Sequence, residues 1–84
     1  MDFHSWINKL KVMADSLHDP KKILGDDFYN FDKFIEWVEI PLHDEDKDDA
    51  HESLVSTFNI FIQYKYFDHA SIIITVINKN NDRL

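Results

Sequence analysis

The stretch Thr57 to Tyr66 places the strongest constraint on the fold. Phe58, Ile60, Ile62, Tyr64 and Tyr66 alternate with Thr57, Asn59, Gln63 and Lys65, and only Phe61 breaks the pattern. Aromatic and β-branched side chains at a two-residue period predict a strand. After a short connection, Phe67-Asp68-His69-Ala70, the run Ser71 to Asn78 is almost continuously apolar. That run predicts another strand, central or covered on both faces. A further strand is expected from about Lys33 to His43, where Phe34, Val38, Ile40 and Leu42 fall at even spacing and Pro41 demands an edge.

One segment reads as helix. Phe3, Trp6, Ile7, Leu10, Met13 and Leu17 recur at intervals of three and four within residues 2–18 and make a single apolar stripe. Asp2 can cap its start, and Asp19-Pro20 ends it. The connector that follows holds Gly25, the only glycine of the chain, at a position expected to need a backbone conformation other residues avoid. The expected fold is therefore α+β: an N-terminal amphipathic helix packed on a small three-stranded antiparallel β-meander. The alternative is a mainly α chain with one C-terminal strand. It keeps 28–40 and 50–65 as helices, with Leu54, Phe58, Phe61 and Tyr64 or Lys65 as a stripe.

At 84 residues the chain is expected to be one domain, 1–84, with an acidic loop at 44–50 and a polar, frayed tail at 79–84. Hydrophobic residues make up 44%, too many for a disordered acidic tail, so a core is expected. The absence of cysteine excludes a disulfide, a thiolate zinc site and a cysteine nucleophile, and suits a cytoplasmic location. No apolar run approaches the length that spans a bilayer, and no membrane association is expected.

Charge is the most informative feature for function. The formal charge is −7, but it is unevenly spread. Residues 26–52 contain eleven acids against Lys33 and Lys47, a local charge of −9, whereas the rest of the chain is +2. Such a balance repels nucleic acid and anionic membranes and attracts basic proteins.

Specific chemistry is hard to place on these residues. Asp44, Asp46 and Asp48 stand at alternate positions, as in a calcium loop, but Asp49 occupies the glycine position and Val55 the place of the bidentate glutamate. His43 and His51 flank the acidic run without a metal-ligand spacing, so no metal and no cofactor is expected. None of the five serines lies in a glycine-flanked turn, and the carboxylates form an open run, not an apolar cleft. The chain does not read as an enzyme.

Acids interleaved with aromatics suit a protein interface: the carboxylates steer a basic partner and an aromatic ring supplies the anchor. The partner-binding residues expected on this basis are Glu36, Trp37, Glu39, Asp44, Glu45, Asp46, Asp48, Asp49 and Glu52. In size, charge and aromatic content the chain is similar to small acidic inhibitors such as bacterial immunity proteins and anti-CRISPR proteins. Asn30-Phe31-Asp32-Lys33-Phe34, Trp37 to Leu42, and Asp68 ahead of Ile72-Ile73-Ile74 loosely resemble barstar-like ribonuclease inhibitors. That family's opening strand has no counterpart here, the resemblance implies a helix over 50–65, and no functional residue is transferred from it. The expected function is a small acidic inhibitor of a basic nucleic-acid-handling protein, a nuclease or effector, by immunity-protein, anti-CRISPR or nucleic-acid-mimic binding. The alternative is a structural or adaptor module that self-associates, as a homodimer, through an exposed strand edge.

Overall fold

The computed structural model describes residues 2–15, 18–43 and 46–82, and every regular element within them is helical. The helices are α1 (Phe3–Asp15), α2 (Pro20–Leu24), α3 (Asp26–Tyr29), α4 (Phe31–Glu39), α5 (Lys47–Gln63) and α6 (Phe67–Asp82), with a 3-10 turn at Ile40–His43 between α4 and α5. The expected three-stranded meander is overturned, as is the C-terminal strand of the alternative. No strand occurs among the described residues, so the edge expected to carry self-association is not there either.

Each strand reading fails for a physical reason. In α5 the buried positions are Ala50, Leu54, Thr57 and Phe61, spaced by three and four, so the seventeen-residue stripe prevails over ten residues of local alternation. Both ends of α5 are closed. Asp46 accepts the Asp48 and Asp49 N–H groups at 3.0 and 3.1 Å. At the other end Tyr66 N–H donates to the Phe61 carbonyl and Lys65 N–H to the Ile62 carbonyl, each at 2.9 Å, with Lys65 at φ 63. This is a Schellman stop with lysine where glycine is usual, and the rings of Tyr66 and Phe61 supply its accompanying apolar contact at 6.3 Å.

In α6, six consecutive β-branched residues, Ile72 to Ile77, each disfavour a helix by about 0.5 kcal/mol. Burial of Ile73, Val76 and Ile77 outweighs this, at roughly 1.5–3 kcal/mol per side chain. In α4, Asn30 caps the start by accepting from Asp32 and Lys33 N–H, and Phe34, Trp37 and Val38 turn inward. Pro41 then breaks the helix into the 3-10 turn.

The N-terminal stripe forms as expected. Trp6, Leu10 and Met13 are buried, Phe3 and Ile7 are half-buried, and Asp2 caps Ser5 N–H at 2.8 Å; Leu17 lies outside the described residues. The helix is shorter than the expected 2–18, since α1 is Phe3–Asp15 and His18 is not helical, and Asp19 and Pro20 instead begin α2 as its cap and first residue. Gly25 joins α2 to α3 at φ 56 and ψ −124, a combination open to glycine alone in practice.

The segment expected as an acidic loop is largely helix: residues 47–50 are the first turn of α5, and Asp44 and Glu45 lie outside the described residues. The segment expected as a tail is helical through Asp82. There the buried Asn80 donates from Nδ2 to the Lys47 carbonyl at 3.1 Å.

The contacts fix the directions of the helices. α6 runs back along α5, with Phe61 beside His69 at one end and Lys47 beside Asn80 at the other. α4 runs parallel to α6, with Phe34 beside His69 and Glu39 beside Lys79. The core lies between them and α1, whose Trp6 packs on Trp37 at 5.0 Å. Two ends result, about 25 Å apart along the seventeen residues of α5.

Candidate functional site

The carboxylates collect at the end where α4 finishes, α5 begins and α6 finishes. Asp46 caps α5, while Asp48 and Asp49 follow in its first turn and Glu52 lies a turn further on. All four side chains are exposed. Acids here favour the helix itself, since its first turn leaves N–H groups unpaired and carries partial positive charge. The same residues therefore serve the local fold and shape the surface.

Glu39 reaches this end from α4 and faces Lys79 Nζ at 3.7 Å. An ion pair this open contributes at most about 1 kcal/mol. Its value here is geometric, because Lys79 and Asn80 tie the last turns of α4 and α6 to the first turn of α5. Asp48 lines a shallow groove of about 180 Å³ with Lys47, His51, Asn80 and Asn81.

One turn back on α4, Glu36 lines a groove of about 280 Å³ with Asp27, Lys33, Trp37 and Ile40. Trp37 is 3% exposed, wedged between Trp6 and Phe34, and it belongs to the core. Its ring is not presented as an interface anchor. The structure thus brings Glu39, Asp46, Asp48, Asp49 and Glu52 to one end with Glu36 a turn away, and it buries Trp37. No cluster of three metal-ligating side chains occurs among the described residues, and His43 and His51 do not form one.

The opposite end carries features that period counting did not find. His69 sits within a ring cluster: it stacks on Phe28 at 4.0 Å and lies 4.7 Å from Phe34, 5.1 Å from Phe31 and 6.0 Å from Phe61. Its Nε2 is 2.9 Å from the Phe28 carbonyl. A carbonyl only accepts, so Nε2 carries the proton.

Tyr66 OH lies 2.8 and 2.9 Å from the two carboxylate oxygens of Asp19 and donates to that carboxylate, closing the chain across 47 residues. Burial of the phenol and the adjacent Asp19 carboxylate push the Tyr66 hydroxyl up to about 12. A cleft of about 440 Å³ opens beside these residues, with Tyr29, Phe67, Lys21, Lys65 and Asp68 among its lining. The only sequence signal for this end is the density of rings at 28–34 and 64–67.

No helix among the described residues is long and apolar enough to cross a membrane. Compared with family models, curated proteins and solved structures, the chain matches none of them.

Proposed function

We propose that the chain is a small acidic inhibitor that binds a basic nucleic-acid-handling protein, a nuclease or effector, and blocks it without catalysis. The observation that carries this reading is the group of exposed carboxylates, Asp46, Asp48, Asp49 and Glu52, at one end of the molecule with Glu39 and Glu36 beside them. Carboxylates held at fixed spacing on helix ends offer a basic groove what the phosphates of a nucleic acid offer it. They also speed encounter by long-range attraction. The charge disfavours direct binding of nucleic acid or of an anionic membrane, and the lack of cysteine suits a reducing cytoplasm.

The test is affinity capture from a lysate of the source organism at low and high salt, with a variant carrying Asp46→Asn, Asp48→Asn, Asp49→Asn and Glu52→Gln alongside. Asn at 46 keeps the capping oxygen, so the helix start survives the change. The expected result is a basic nuclease or nucleic-acid-binding protein retained by wild type at low salt, released at high salt and lost in the variant. Its activity should fall when wild-type chain is added. Retention of the same protein by the variant, or undiminished activity in the presence of wild type, would overturn the reading.

A further inference from the structure

We draw no further inference here: the strongest candidate, the open cleft at the aromatic end where the exposed rings of Tyr29 and Phe67 stand beside Lys21, Lys65 and Asp68, carries none because nothing in the structure shows what covers it.

Discussion

The two ends of this molecule are built from different materials. At the aromatic end, Phe28, Phe34, Phe61, Tyr66 and His69 interlock, with ring centroids 4.0 to 6.5 Å apart. Hydrogen bonds there close loops of 41 and 47 residues, from His69 to the Phe28 carbonyl and from Tyr66 to Asp19. At the acidic end the hydrogen bonds described include local ones, from the Asp48 and Asp49 N–H groups to the Asp46 carboxylate, and longer ties such as the Glu39–Lys79 ion pair and the bond from Asn80 to the Lys47 carbonyl. The difference assigns stability chiefly to one end and charge to the other. A small domain with a limited core gains by this separation, because repulsion among the carboxylates is kept away from the contacts that hold the chain together.

Breaking the aromatic end should have the largest effect. Phe61 is fully buried against four rings of that cluster, and Phe61→Ala is expected to destabilise the fold by about 3–5 kcal/mol in urea titration. A cost below about 1 kcal/mol would mean that the cluster does not hold the fold.

Tyr66→Phe removes the bond to Asp19 and should cost about 1–3 kcal/mol at neutral pH, since the acceptor is charged. It also sharpens the comparison through pH. The hydroxyl of Tyr66 rises from 10.0 to about 12 on folding. Its contribution is therefore complete below the unfolded value and is lost as pH rises through the folded one. Wild type should lose stability over that interval, and the gap to the phenylalanine variant should close. A gap that does not narrow with pH would place the stabilisation elsewhere.

Two backbone changes at the same end should act in opposite directions. Gly25→Ala meets no neighbouring atom, so its whole cost comes from the strained backbone at φ 56 and ψ −124, about 1–3 kcal/mol. Lys65→Gly relieves a left-handed lysine in the α5 stop and should stabilise by up to about 1 kcal/mol in thermal melts. The smallest effect belongs to the acidic end. Asp48→Asn, Asp49→Asn and Glu52→Gln together should change stability by about 1 kcal/mol or less, the loss of favourable charge near a helix start.

The acidic end was the more legible of the two in the sequence. Charge density is a property of neighbours along the chain, and the run from Asp44 to Asp49 announces itself. Its backbone was misread because the acids suggest a loop, whereas Asp46, Asp48 and Asp49 stand where a helix start favours them. The α1 stripe and the need for glycine at 25 were also readable, since each depends on local periodicity or backbone freedom.

The aromatic end was not readable in this way. Phe58, Ile60, Ile62 and Tyr64 alternate over a window too short to separate strand from helix, and the deciding residues, Ala50 and Leu54, lie upstream of it. The isoleucine-rich run of α6 carries strand propensity that only tertiary burial overrides. Trp37 looked like an interface anchor because it sits among acids in sequence, but helical spacing with Phe34 turns it inward. His69 found its partner 41 residues away, and no local pattern marks such a pairing.

Amide hydrogen exchange tests the separation of the two ends most directly, comparing wild type with the variant carrying Asp46→Asn, Asp48→Asn, Asp49→Asn and Glu52→Gln. The account predicts the slowest exchange in α5 and α6 around Phe61, Ala70 and Ile73, unchanged in the variant, with any loss of protection confined to the first turn of α5. Loss of protection throughout α5 and α6 in the variant would contradict it, because the carboxylates would then be holding the fold.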